Sequence, residues 1–205
     1  MPALTSYLRA RWGKSEQEAD DLLQSFLLEK VLNRDLFGQA DRDKGRVRSL
    51  LMTTLDRFVI AAHRQRAGPG AGGRGVRSLD GDLPEPAGKP AADVFDLAWA
   101  RHTLYRALEL TRVECERSGR DHIWNLFAAR LVAPALEGVE RTRYGALQEQ
   151  LGFASPEQGS NLLITAKRMF LRNLRSMVGE YVDDDSVEIE DELRRLRHIL
   201  AQGRG

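Results

Sequence analysis

The sequence predicts an all-α chain of two small helical domains joined by a flexible linker. Three observations carry that expectation. Apolar residues recur at three- and four-residue spacing through most of the 205 residues, the period of a helix with one buried face. Alternating β-branched runs, the mark of a half-buried strand, are almost absent. One stretch breaks the pattern: Ala67 to Asp93, "AGPGAGGRGVRSLDGDLPEPAGKPAAD", is too rich in glycine and proline to offset its own ordering entropy, and it reads as a tether. The expected organisation is a helical domain over 1–67, a linker over 68–92, and a second helical domain over 93–180. An acidic stretch and a C-terminal helix follow over 181–205.

The first domain opens its main helix at "SEQEADDLLQSFLLEKVLN". Ser15 and Glu18 form a capping box, each side chain able to satisfy an orphan N–H of the other's residue. Ala19, Leu22, Leu23, Phe26, Leu27 and Val31 make its core stripe. Asp21, Gln24 and Leu28 lie on a neighbouring face. A leucine beside polar groups there is either buried under another helix or part of a partner surface. Next comes "DRDKGRVRSLLMTTLDRFVIAAHRQRA", whose buried face is Leu51, Leu55, Phe58, Val59 and Ala62. Arg46, Arg48, Arg57, Arg64 and Arg66 gather cationic charge along it. Cations at both ends of one helix can straddle a phosphate backbone. The helix dipole offers another reason for Arg64 and Arg66, but not for Arg46 and Arg48.

The second domain carries a helix-turn-helix over 144–175. "YGALQEQLGF" suits a short helix stopped by Gly152, with Phe153 plugging the turn. Ser155, Pro156 and Gln158 then cap a second helix. Leu163, Ala166, Phe170 and Leu174 form its apolar stripe, and Gln158, Asn161, Thr165, Arg168 and Arg172 the opposite one, flanked by Lys167 and Arg175. Amide, hydroxyl and guanidinium groups in that order suit base edges and phosphates of a major groove. Gly159, Ser160 and Asn161 are poor helix formers, so a loose first turn is expected.

At the end, "DDDSVEIEDE" from Asp183 to Glu192 precedes an amphipathic stretch with Ile189, Leu193, Leu196 and Leu200 on one face. The first expectation is a charged loop and a helix packed on the second domain. The second is autoinhibition, with the acids lying over a cationic DNA-binding face.

Composition narrows the chemistry. Net charge is +1 with 30% charged residues, so nucleic-acid contact would come from local patches. Cys115 stands alone and His63, His102, His122 and His198 are scattered, so no disulfide, metal centre or cofactor is expected. No nucleophile elbow, phosphate-binding loop or dinucleotide fingerprint occurs, and an enzyme is not expected. There is no signal peptide and no apolar run of membrane-spanning length. The expectation is a cytoplasmic protein without a membrane partner.

Taken in order, these segments resemble bacterial RNA polymerase sigma factors of the extracytoplasmic-function class. "EADDLLQSFLLEKVL" looks like the A-x-D-L-x-Q-x-x-F signature of that family's region two. "GRVRSLLMTTLDRF" resembles its G-R-F-R-S-F-L-L pattern, and "AWARHTLYRALELTRVECERSGR" looks like the first helix of region four in a long subgroup. The 144–175 segment is similar to that subgroup's Y-x-x-x-A-x-x-L-G-x-S helix-turn-helix, and "VEIEDELRRLRHIL" to its extension. The likeness covers nearly the whole chain.

The resemblance implies a factor that binds core RNA polymerase and directs promoter recognition in transcription initiation. Region two would dock on the clamp helices of the β′ subunit through Asp21, Gln24 and Leu28. Arg46, Arg48, Ser49, Arg57 and Arg64 would meet the minus-ten strand. Region four would bind the flap of the β subunit and read the upstream promoter DNA through Gln158, Asn161, Thr165, Lys167, Arg168 and Arg172. An anti-sigma factor is a further partner the class allows. Val47 and Leu50 stand where the family often has aromatics that stack on unpaired bases. The chain also begins closer to region two than is usual. Two other readings stay open: a helix-turn-helix regulator working without core polymerase, and a sigma-like adaptor that has lost DNA reading.

Overall fold

The computed structural model describes residues 2–32, 47–66, 90–182 and 186–203, and within them every regular element is helical. The linker expected over 68–92 lies outside the described residues except at its end, where Ala91 already begins a helix. The chain divides into two compact units: residues 1–102 with 181–205, and residues 103–180.

The first unit holds α1 (Pro2–Trp12), α2 (Glu16–Phe26), α3 (Val47–Arg66), the opening half of α4 (Ala91–Arg117) and α9 (Ser186–Gln202). The capping box of α2 forms as expected: Ser15 Oγ accepts from Glu18 N at 3.3 Å, and Glu18 Oε2 accepts from Ser15 N at 3.0 Å. Beyond Phe26 the helix widens into a π turn over Leu27–Leu32. Leu4, Leu8, Leu22, Leu23, Phe26, Leu51, Leu55, Phe58, Val59 and Phe95 share one core. Phe26 meets Phe58 edge-on at 5.7 Å, and Tyr7 meets Phe95 at 6.1 Å. The α1 helix is tied across this core by a polar pair. Tyr7 Oη and Trp12 Nε1 each donate to the Asp56 carboxylate at 2.8 Å. Burial and the adjoining Asp56 carboxylate push the Tyr7 phenol far above its usual range, so it remains a donor.

The C-terminal helix belongs to this first unit, and not to the second domain as expected. The apolar positions Ile189, Leu193 and Leu200 are only half-buried; the buried residues of α9 are Glu192 and Leu196. A charged residue, rather than the apolar stripe alone, fixes where the helix lies. Asp183 to Asp185 of the acidic run lie outside the described residues.

The second unit holds the rest of α4, α5 (Asp121–Phe127), α6 (Ala133–Leu136), α7 (Tyr144–Leu151) and α8 (Pro156–Gly179). A π segment over Ala128–Val132 joins α5 to α6. Leu108, Cys115, Ile123, Leu126, Phe127, Leu147, Phe153, Leu163, Ala166 and Met169 make its core. Gly152 ends α7 in the left-handed conformation at φ 69°, which admits glycine without strain. Phe153 is buried in the turn.

The first turn of α8 is not loose. Ser155 Oγ accepts from Gln158 N at 3.3 Å, and Gln158 Oε1 accepts from Ala154 N at 2.5 Å. Gly159 is buried, and a Cβ there would lie 2.9 Å from Phe153 Cε2 and 3.1 Å from Tyr144 Cδ1. The glycine is a spacer that lets two rings close on the helix, a gain that outweighs its weak helix propensity.

Candidate partner and nucleic-acid interfaces

On α2, Ala19, Leu22, Leu23 and Phe26 turn inward. Asp21, Gln24 and Leu28 are all exposed, and Leu28 leaves 60% of its surface to solvent. Of the two readings of Leu28, burial under another helix is removed among the described residues. A leucine this bare, following a carboxylate and an amide on the same face, is the kind of surface a partner covers. Leu28 lies in the π turn that begins at Leu27.

The cationic set on α3 does not form one surface. Arg48 and Arg57 are both in the helix, and their spacing sets them on opposite sides, about 180° apart at 3.6 residues per turn. Arg57 is exposed, but Arg48 is only 6% exposed. Its Nη2 donates to Glu192 Oε2 at 2.8 Å, and its Nη1 lies 3.6 Å from Asp96 Oδ1. The expectation that Arg48 lies open to a DNA strand is thus corrected: a carboxylate from α9 occupies it. Arg46 lies outside the described residues, as do the side chains of Ser49 and Arg64. His63, at the far end of the helix, stacks on Trp12 at 6.2 Å.

Around Arg48 the partners are layered. Tyr181 Oη donates to Glu192 Oε1 at 3.3 Å, and its ring meets Trp99 edge-on at 5.4 Å. Arg195 Nη2 lies 3.6 Å from Asp96 Oδ2. Burial pushes the Glu192 carboxyl above its ordinary range, and the charges of Arg48 and Arg195 only partly offset it.

On α8 the exposed face differs from the expected stripe. Gly159, Leu163, Ala166 and Met169 face the core. The direction opposite them is rotated roughly 50° from the Gln158–Arg172 stripe. Asn161, Lys167 and Arg168 are exposed as expected. Gln158 is exposed too, with its amide oxygen accepting from Ala154 N in the helix cap. Thr165 is half-buried and donates its hydroxyl to Asn161 O at 3.0 Å. Arg172 pairs with Glu114 of α4, where Asn173 Nδ2 also donates to Glu114 Oε2 at 3.2 Å. The outward face instead takes in Ser160, Ile164 and Leu171 beside Asn161 and Arg168, with Ile164 46% exposed. The sequence pattern contained these residues, but sorting by polarity alone passed over the apolar ones.

Two more exposed cations precede α7: Arg141 and Arg143. Their loop is held by Arg130, which donates from Nη1 to Thr142 O at 2.6 Å and lies 4.2 Å over the Tyr144 ring. The second unit therefore presents Arg141, Arg143, Asn161, Lys167 and Arg168 from a rigid helix-turn-helix scaffold. Such a set can contact phosphates and base edges.

No described helix is long and apolar enough to cross a membrane. Among the described residues no His, Cys, Asp and Glu side chains gather into a metal-ligand set. Searches of protein-family models, of curated proteins and of solved structures find no match to this chain, so its functional reading stands on the two surfaces just described.

Proposed function

We propose that the chain is a sigma factor of the extracytoplasmic-function type, binding core RNA polymerase and directing it to promoters. The observation that carries the reading is the exposed α2 face. Asp21 and Gln24 on the capped helix α2, and Leu28 in the turn that continues it, all lie open to solvent while the opposite face of α2 is buried. The class to which the sequence is similar uses that position for the β′ clamp helices. The α7–α8 pair supports the second half of the reading, a helix-turn-helix whose outward face offers Asn161, Lys167 and Arg168 to duplex DNA.

The test is binding of the full chain to purified core RNA polymerase, alongside an Asp21→Lys, Gln24→Ala, Leu28→Asp variant. All three positions are exposed, so the variant keeps its melting temperature. Binding by the intact chain and its loss in the folded variant is the expected outcome. No binding by the intact chain would refute the proposal.

The burial of Arg48 favours one second reading, a sigma-like adaptor that binds polymerase without engaging the minus-ten strand. Run-off transcription separates the two: an adaptor gives no promoter-directed transcript from any template.

A further inference from the structure

The Arg48 cluster is the most unusual feature of the first unit. A guanidinium, two carboxylates and a phenol come together from α3, α4, the Tyr181 segment and α9. Buried ion pairs tend to be neutral or costly for stability unless every polar atom is satisfied. This one is not fully satisfied: Arg48 Nη1 and Asp96 Oδ1 are buried, lie 3.6 Å apart, and neither has a hydrogen-bond partner. Half of the guanidinium fork is hydrogen-bonded, and the other half makes only the longer ion pair with Asp96. Arginine forks suit planar or tetrahedral anions that take both N–H groups at once, and Glu192 supplies a single bond at 2.8 Å.

The helix that brings Glu192 has few fully buried residues. Of its seventeen residues only Glu192 and Leu196 are buried. Its C-terminal end adds one hydrogen bond from Arg101 Nη2 to Gly203 O at 3.3 Å, and Gly203 lies close against Leu97. Detaching it would expose one buried leucine, Leu196, and the half-buried Ile189, Leu193, Ile199 and Leu200. Meanwhile Arg48 sits in the first turns of α3, the segment placed at the minus-ten strand by the reading above.

We infer that α9 is an internal latch: the Glu192 carboxylate fills an anion seat at Arg48 that a nucleic-acid phosphate takes once α9 lifts away. The inference rests on the proposed promoter-binding role. It goes further by naming the occluded residue, the acid that occludes it and the ligand group that replaces the acid.

The experiment measures binding of full-length variants to a fluorescein-labelled single-stranded oligodeoxynucleotide of random sequence, over a range of salt concentrations. Glu192→Gln removes the competing charge with almost no change of shape. It is expected to bind several-fold tighter than the unaltered chain and with a steeper salt dependence. One added phosphate contact on a single strand changes the log–log slope by about 0.7. Leu196→Ala loosens the same helix without touching a charge and is expected to act in the same direction. It also replaces Glu192→Gln if that variant fails to fold. Adding Arg48→Gln to either variant should abolish the gain. If neither α9 variant tightens binding, the latch is overturned. A gain that survives Arg48→Gln would overturn the anion seat. The core-polymerase assay separates this outcome from failure of the functional reading: a chain that binds polymerase but shows no Arg48-dependent gain sinks the latch alone.

Discussion

Two glycines of the helix-turn-helix give a sharp test of its packing. Alanine at Gly159 would place a Cβ 2.9 Å from Phe153 Cε2, 3.1 Å from Tyr144 Cδ1 and 3.2 Å from Phe153 Cζ. Phe153 is buried, so its ring has little room to retreat. Overpacking of this kind costs about 2 kcal/mol. Replacing a helical glycine returns about 1 kcal/mol of propensity. The expected net loss is about 1 kcal/mol, which lowers the melting temperature by roughly 4–8 °C for a domain of this size. Alanine at Gly145 meets nothing within 4 Å, so it should gain up to about 1 kcal/mol. The reporter is Cys115, which is fully buried in the same unit and whose thiol burial pushes further from ionisation. Its rate of alkylation in native buffer follows opening of that unit. Gly159→Ala should speed labelling about five-fold and Gly145→Ala should slow it, since about 1 kcal/mol changes an opening equilibrium by that factor. A Gly159→Ala chain that labels no faster than the unaltered one would refute the spacer role of Gly159.

Other consequences concern polar ties. Asp56→Ala leaves the Tyr7 hydroxyl and Trp12 indole without their acceptor, so it should destabilise the first unit by about 1–3 kcal/mol in urea unfolding, and a neutral result would refute the α1 tie. Burial raises the Glu114 carboxyl, but hydrogen bonds from Arg172 and Asn173, with the charges of Arg172 and Arg120, outweigh it and hold it below the usual carboxylate range. A depressed folded pKa gives stability that is present above the unfolded value and is lost as pH falls through the folded one. Arg172→Gln should therefore flatten the acid side of the melting-temperature profile below about pH 4.5. The loss at neutral pH should stay under about 1 kcal/mol because Arg172 is well exposed; an unchanged acid limb would show that the pair contributes nothing.

The elements with local signatures were legible in the sequence. Ser15 with Glu18, and Ser155 with Pro156 and Gln158, each announce a helix start by short-range chemistry, and both caps form. Gly152 announces a stop in the same way. The α1 helix carries no such mark, and its hold on the fold comes from its buried Leu4 and Leu8 and from Asp56, more than forty residues away in sequence. The candidate sites divide along the same line. Asp21, Gln24 and Leu28 follow from one helical stripe and are exposed. The set joining Arg48 and Arg57 failed on geometry that the spacing already contained. Gln158 serves two ends, its amide oxygen closing the cap while its side chain stays exposed. The home of α9 was not legible at all. Its apolar stripe fits any helical surface, and what singles out this one is a pairing across 144 positions between Arg48 and Glu192.

That pairing also limits how strong the latch can be. The apolar surface that α9 covers is that of Leu196, buried, and of Ile189, Leu193, Ile199 and Leu200, half-buried, so its docking does not depend on the ion pair alone. A buried ion pair with unsatisfied donor and acceptor atoms adds little net stability against solvated charges. What the latch withholds from a ligand is one charge-assisted phosphate contact at Arg48, worth about 1.5–3 kcal/mol. Release of α9 can therefore tighten nucleic-acid binding through Arg48 by no more than roughly 150-fold. A gain of several hundred-fold in Glu192→Gln or Leu196→Ala would mean that α9 blocks more than Arg48, and the single-seat account would have to give way to occlusion of a whole face.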